Sequence, residues 1–357
     1  MTGKTTIEWT HMPGYVGAVW NPTVGCTRVS AGCDNCYAFA LHDKRYKSNL
    51  DHAKANNESS TQMLRMVLET SSFGVDRGLM PPWPKQYDLP FSRVQLLPER
   101  LDAPLRTRKP TYYFVDSMAD LFHEDVPDEY LDRVFLRMAL NRRHRFLILT
   151  KRPERMSAYC KRVMPSPSQE ELDHVSSLTT REERAVVGDW ARLTSMGLPQ
   201  PPPNIWLGTS VEDQASADER IPYLLATPAA VRFLSCEPLL GPVDLRAWTD
   251  PTWCRAADHK VCGRLHWVIV GGESGPRARP MDLAWARSLV AQCRAAGVAP
   301  FVKQLGERWA RTDGAGPGWG DLHGRDMEIW PEDLRVREWP GSGFAPSSEV
   351  EKQDVRA

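Results

Sequence analysis

Arg145-Phe146-Leu147-Ile148-Leu149 is an apolar run of strand length, followed at once by Thr150-Lys151-Arg152-Pro153 and then by a helical stretch from Glu154 to Val163. A run this short and apolar fits a buried strand. The same order recurs on both sides. Upstream, Tyr112-Tyr113-Phe114-Val115 ends in Asp116-Ser117. A helix then starts from Pro127, with Asp128 and Glu129 in its first turn and Leu131, Val134, Phe135 and Met138 on one face.

Downstream, Ile205-Trp206-Leu207 ends in Gly208-Thr209-Ser210-Val211-Glu212, with a helix to Thr227. Val231-Arg232-Phe233-Leu234 ends in Ser235-Cys236-Glu237-Pro238, and Trp267-Val268-Ile269-Val270 ends in Gly271-Gly272-Glu273-Ser274-Gly275. A helix from Asp282 stops at Gly297, and Pro300-Phe301-Val302 ends in Lys303-Gln304. With Val19 to Val24 as the first, these are about seven strands alternating with helices. Such alternation makes a parallel sheet with crossover helices. Six or seven strands close poorly into an eight-stranded ring, so the expected α/β architecture is a partial (β/α) barrel.

The barrel is expected over residues 1–308, with an insertion at 165–203 bounded by prolines and holding a helix from Thr180, where Glu183 completes a capping box. A first helix is expected from Tyr37 to Arg45. The polar stretch Lys47 to Thr61 reads as an excursion before helical character resumes at Met63 and breaks at Pro81-Pro82-Trp83-Pro84. Residues 309–357 are expected to be an extension ending in a disordered tail from Ser347 to Ala357. Its segment Asp321 to Pro340, with Trp330 and Trp339, is open to two readings, a lid over the sheet or a packing arm.

The 357 residues are 41% apolar and 25% charged, the composition of a soluble globular chain, and 45 Lys plus Arg balance 45 Asp plus Glu. Without a global field, any anion binding must be local. No signal-peptide core and no membrane-length apolar run is present, which points to the cytosol. Eight cysteines there favour metal or redox chemistry over disulfides.

Three of those cysteines, Cys26, Cys33 and Cys36, stand in the loop after the first strand with spacing C-x6-C-x2-C. A structural zinc site wants four protein ligands, whereas a four-iron cluster on three thiolates keeps one iron open. The alternatives are a zinc knuckle completed by His42, or unligated or paired thiols. Gly25, Ser30, Gly32 and Asn35 let the loop fold around a compact inorganic group.

In parallel α/β folds the C-terminal strand ends build the active site. Seven polar ends in register therefore suggest one pocket, with the cysteine loop at its rim or floor. Gly271-Gly272 reads as an anion cradle or a tight turn, and Glu212, Glu237 and Glu273 as ligand-binding acids or as caps. Lys151-Arg152, Arg277 and Arg279 could grip a phosphate or carboxylate, or pair at the surface. Lys303 should enter the pocket and pair with Glu237 or Glu273, or hold a substrate anion. Cys236 is a small buried residue or a hydrogen-atom donor. Cys254, His259 and Cys262 are candidates for a second metal site.

The cysteine triplet feeding a (β/α)-type sheet resembles radical S-adenosylmethionine enzymes. A closer resemblance, from residue 7 to about 340, is to a phage- and prophage-associated three-cysteine family. It rests on Ile7-Glu8-Trp9-Thr10, Trp20-Asn21-Pro22, Gly25-Cys26-Thr27 and Gly32-Cys33-Asp34-Asn35-Cys36-Tyr37-Ala38, then on Asp120-Leu121-Phe122-His123 and Leu149-Thr150-Lys151-Arg152-Pro153. Glu237-Pro238-Leu239-Leu240-Gly241-Pro242, Gly271-Gly272-Glu273-Ser274-Gly275-Pro276 and Lys303-Gln304 complete it.

The resemblance implies that the three cysteines hold a [4Fe–4S] cluster whose open iron takes the amino and carboxylate groups of S-adenosylmethionine. An outside electron donor would drive its cleavage to methionine and a 5′-deoxyadenosyl radical. The spacing is longer than the usual C-x3-C-x2-C, and Asp116-Ser117 stands where that superfamily has Gly-Gly-Glu. By position, Asp116 and Ser117 are therefore expected at the methionyl amine and Ser210 or Glu212 at the ribose hydroxyls. Gly271, Gly272 and Glu273 are expected beside the cofactor, with Glu237 and Lys303 as catalytic residues. The phage association implies rearrangement of a 5-substituted pyrimidine, as a nucleotide or as a base flipped from DNA. The alternative is a zinc- or cluster-stabilised nucleic-acid-binding protein without catalysis.

Overall fold

The computed structural model describes residues 2–55, 86–162 apart from 88, 202–249, 263–312 and 323–340, with four single positions between 170 and 177. The expected helices at Met63 and Thr180, most of the 165–203 insertion, the Cys254, His259 and Cys262 candidates and the tail lie outside the described residues.

The main sheet contains β1 (Thr2–Lys4), β2 (Val16–Trp20), β5 (Thr111–Val115), β6 (Arg145–Thr150), β7 (Ile205–Ser210), β8 (Val231–Cys236), β9 (Trp267–Gly271) and β10 (Ala299–Gln304), hydrogen-bonded in that order. From β2 to β10 every pairing is parallel, so seven parallel strands curl into a half-barrel, the expected partial (β/α) barrel. β1 runs antiparallel along the free edge of β2.

The first strand differs from its expected bounds. β2 ends at Trp20, and Asn21-Pro22 turns the chain out, because proline has no N–H for the ladder. Thr23–Val24 (β3) then pairs antiparallel with Gln95–Leu96 (β4) in a separate two-stranded ribbon. The Pro22 carbonyl accepts from Leu97 N and from the Tyr130 hydroxyl, which fixes that exit.

Helices α2 (Asp128–Leu140), α3 (Pro153–Lys161), α4 (Gln214–Leu225) and α5 (Leu283–Ala296) follow their strands as expected. Asp282 caps α5 through Ala284 N, and Gly297 ends it at φ 66°, a left-handed position suited to glycine. Helix α1 (Tyr37–Ala55) corrects the expected excursion, since it runs well beyond Arg45. Its added turns are polar but hold no Gly or Pro, and Lys47 pairs with Asp43 one turn earlier at 2.7 Å.

Strand alternation divides the sheet into two faces. Tyr113, Val115, Phe146, Ile148, Leu207 and Val268 face the helices and pack with Val134, Phe135, Ile221, Leu224 and Leu289. Tyr112, Phe114, Leu147, Trp206, Phe233, Trp267, Ile269 and Phe301 line the concave face, where Trp9 and Met12 plug the lower hollow. Gly208 makes room for this packing, as a Cβ there would stand 2.6 Å from the Phe233 ring. Above the aromatic floor the concave positions turn polar.

Residues 323–340 form a packing arm rather than a lid. Val302 N donates to Val336 O at 2.8 Å, Glu338 N to Pro300 O at 3.0 Å, and Arg337 bridges antiparallel to Phe301. The arm thus covers the backbone edge that β10 would otherwise present. Trp339 packs on Phe301 and donates to the Trp9 carbonyl at 3.4 Å, joining the two edges of the half-barrel below the floor. Among the described residues no helix is long and apolar enough to cross a membrane.

Candidate metal centre

The cysteine loop leaves β3 through Gly25, at φ 98° and packed so that a Cβ would stand 2.4 Å from the Arg93 carbonyl. No other residue fits there. Gly25 N donates to Met118 O and Cys26 N to Phe91 O, so the first leg is sewn between two neighbouring segments. A 3-10 turn at Ala31–Cys33 follows, and α1 begins directly after Cys36. All three thiols are free and half-buried.

The loop lies across the C-terminal strand ends, held by three of them. From β6, Arg152 donates to Thr27 Oγ1 at 2.7 Å and lies 3.6 Å from Cys26 Sγ. At the end of β7, Glu212 accepts from Ser30 Oγ at 2.9 Å and from Arg220 at 2.9 Å, and Lys151 Nζ stands at 3.3 Å. Gly32 packs onto the same carboxylate, where a Cβ would come within 2.3 Å of Oε1. At the end of β9, Glu273 accepts from Asn35 Nδ2 at 3.0 Å and is gripped by Arg279, which also donates to Ala31 O at 2.8 Å. Burial pushes the Glu273 carboxyl up, but the Arg279 hydrogen bonds outweigh it and hold the carboxyl below its ordinary value. Burial, then Asp120, pushes the Cys26 thiol up to about 12, against the pull of Arg152.

The polar ends therefore meet at one mouth, but several expected roles change. Asp116 does not face the mouth for a methionyl amine: at φ 55° its carboxylate turns back, accepting from Thr23 N at 3.1 Å and Thr23 Oγ1 at 2.7 Å. Burial raises it to about 7. Ser117 donates to Asn21 Oδ1, and its carbonyl receives the Tyr37 hydroxyl at 2.6 Å. Glu212 and Glu273 serve the loop, so neither side chain is left to grip a cofactor alone.

Gly271-Gly272 is no anion cradle, because Gly272 N donates to Gln304 O and a Cβ there would meet Leu305 O at 2.6 Å. The pair allows close backbone approach. Arg277 is exposed and touches the loop through its carbonyl, whereas Arg279 is a clamp rather than a surface pair. Cys236 faces the helices, in the core on the convex side, which removes it as a hydrogen-atom donor to the mouth. Ser210 and Ser235 pair in register on the concave side, following Gly208 and Phe233 by alternation. Lys303 meets Glu237 at 2.5 Å, and Gln304 Nε2 donates to the same oxygen at 2.8 Å.

His42 does not complete a zinc knuckle. Its Nε2 is 2.6 Å from the Gln86 carbonyl, and its ring packs on Tyr87 and Phe91. Among the described residues no three His, Cys, Asp or Glu side chains are grouped as a single metal ion requires. Three free, half-buried thiols on one glycine-bearing loop are the donor chemistry that a four-iron cluster with one open iron takes. Thr27, Asp120, His123 and Arg220 were not legible as loop supports, although Thr27, Asp120 and His123 stand in the family strings, and Asn35 was legible only as a residue of the turn.

A family described as a protein of unknown function, DUF5131, matches residues 4–331. The chain belongs to that family. The match carries the whole cysteine loop and every strand from β2 to β10, and it ends inside the packing arm of this DUF5131 protein. Neither the curated proteins nor the solved structures contain a match.

Proposed function

We propose that this DUF5131 protein is an enzyme of the radical S-adenosylmethionine type, with Cys26, Cys33 and Cys36 holding a [4Fe–4S] cluster. The observation that carries the reading is the docking of a three-thiol loop over the C-terminal mouth of a parallel half-barrel, on supports from three separate strands. Bound there, the cluster would pass an electron from an outside donor to S-adenosylmethionine and release a 5′-deoxyadenosyl radical. The chain's own residues do the rest. The aromatic floor of Trp206, Phe233, Trp267 and Phe301 closes the hollow from below and keeps water out. Ser210 and Ser235 stand side by side at the ends of β7 and β8, and the Lys303–Glu237 pair, between the ends of β8 and β10, would orient the substrate.

For the substrate we propose a 5-substituted pyrimidine of the kind found in modified phage DNA. The support is the resemblance to the phage-associated three-cysteine strings and the balance of 45 cationic against 45 acidic residues, which suits a nucleotide or one flipped base better than a long duplex. The test is anaerobic purification with iron and sulfide reconstitution. A brown protein whose cluster absorption vanishes in Cys33→Ala, and which cleaves S-adenosylmethionine under reduction, is the expected result. A colourless protein carrying stoichiometric zinc would end the reading.

A further inference from the structure

Asp120-Leu121-Phe122-His123, which the strand pattern leaves without a task, meets the strand end Thr150-Lys151-Arg152-Pro153 beside the first cysteine. Asp120 accepts from Thr150 Oγ1 at 2.7 Å, Lys151 N at 3.0 Å and Arg152 at 3.3 Å. Glu124 takes the Arg152 Nε at 3.0 Å. Held by these two acids, the guanidinium extends NH2 to Thr27 O and Oγ1 and NH1 to Cys26 Sγ. His123 Nδ1 accepts from Asp125 N, so its proton sits on Nε2 and points to the same Thr27 hydroxyl at 2.8 Å. The Arg152 side chain is only 11% exposed, so its fork is locked by protein contacts rather than by solvent.

We infer that Arg152 is a positioning residue for the Cys26 corner of the bound cluster, supplying a hydrogen bond and a positive charge to the Cys26 sulfur. This rests on the cluster reading above. A donor on a ligating sulfur lowers the cost of adding an electron to the cluster, so Arg152 raises its reduction potential. It also resists loss of the corner, as groups behind the ligands commonly do. The buried anchor Asp120 makes this more than a surface contact: the acid fixes the guanidinium, and the guanidinium fixes the sulfur.

The test compares wild type, Arg152→Met and Arg152→Lys, each reconstituted without air and checked for fold by circular dichroism. Three readouts are taken: iron and sulfide content, midpoint potential by redox titration followed by electron paramagnetic resonance, and the chelator concentration that strips half the iron. Arg152→Met is expected to shift the potential to a more negative value and to lower the stripping concentration about 10–100-fold. Arg152→Lys, which keeps the charge but loses the fork, should hold the potential near wild type while the iron still strips more readily. A folded Arg152→Met that takes up no iron also supports the inference. Wild-type potential and wild-type retention in both variants would overturn it. A wild-type protein that takes up neither iron nor sulfide would overturn the cluster reading and the inference with it, and the two failures differ in which protein shows them.

Discussion

Glu212→Gln is the sharpest test of how the cysteine loop is held. The native carboxylate is 2% exposed and balances Arg220, itself 3% exposed, and Lys151, 19% exposed. Replacing it with an amide leaves Arg220 buried beside an NH2 group or a single carbonyl oxygen. Breaking one side of a buried pair costs on the order of 3–5 kcal/mol. Lys151 can swing its ammonium toward water and Arg220 keeps the Ser210 carbonyl at 3.0 Å, so the loss should lie near the lower end, about 3 kcal/mol.

Gly32→Ala attacks the same joint from the other side. Its Cβ would press on Oε1 of a carboxylate that Arg220 and Lys151 hold in place, so the loop must lift while the charges stay paired. Urea unfolding measures the first effect. Thiol labelling of the metal-free protein, read site by site by mass spectrometry, measures the second, with faster modification of Cys33 and Cys36 expected in both variants. If Glu212→Gln stays within about 1 kcal/mol of wild type and neither variant changes the labelling rates, Glu212 is not the joint described.

Asp116 supplies a pH prediction. Its folded value of about 7 lies above the ordinary 3.8, so its stabilising contribution is complete below the unfolded value and is lost as pH rises through about 7. Wild type should therefore lose on the order of 4 kcal/mol relative to Asp116→Asn between pH 4 and 8, since the neutral amide can still accept from Thr23 N and donate to Thr23 Oγ1. Parallel pH profiles for the two proteins would refute this. Lys303→Met separates two roles of the mouth pair: a substrate role leaves folding, iron content and substrate-free cleavage of S-adenosylmethionine intact while product formation falls, whereas a structural role lowers all of them. Because Gln304 still supports Glu237 at 2.8 Å, the stability loss should stay near 2 kcal/mol, below the full cost of a broken buried pair. Unchanged turnover with unchanged stability would show that Lys303 does not belong to the pocket.

The strands could be read from local pattern because each is a short apolar run with a polar end, and both features are set by neighbours in the chain. The caps of α5 at Asp282 and Gly297 were readable for the same reason. What the pattern could not tell was which way the polar ends turn. Asp116 sits in the left-handed region, so a residue that alternation would aim at the mouth instead reaches Thr23, 93 positions away. Ser30 meets Glu212 across 182 positions and Asn35 meets Glu273 across 238. No window of sequence holds both halves of such a contact. The length of α1 was misread for a different reason, because a polar stretch without breakers looks like loop by hydropathy and like helix by propensity.

Strand-end polarity makes Asp116, Glu212, Glu237 and Glu273 look equivalent, but their hydrogen bonds divide them. Asp116 holds the entrance of the cysteine loop, while Glu212 and Glu273 hold its middle and its end. Glu237 alone turns to the sheet's own Lys303 and Gln304. A redox group carried on a loop works only if the loop is fixed, since small displacements of reacting groups cost large factors in rate. Three directional anchors from separate parts of the chain fix position and tilt in a way that apolar contact alone does not. Changes at those anchors should therefore lower cofactor retention and turnover together, whereas changes at Glu237 or Lys303 should separate them. On the proposed reading, substrate recognition would then fall to the Glu237–Lys303 pair between β8 and β10, away from the corner where Arg152 meets Cys26.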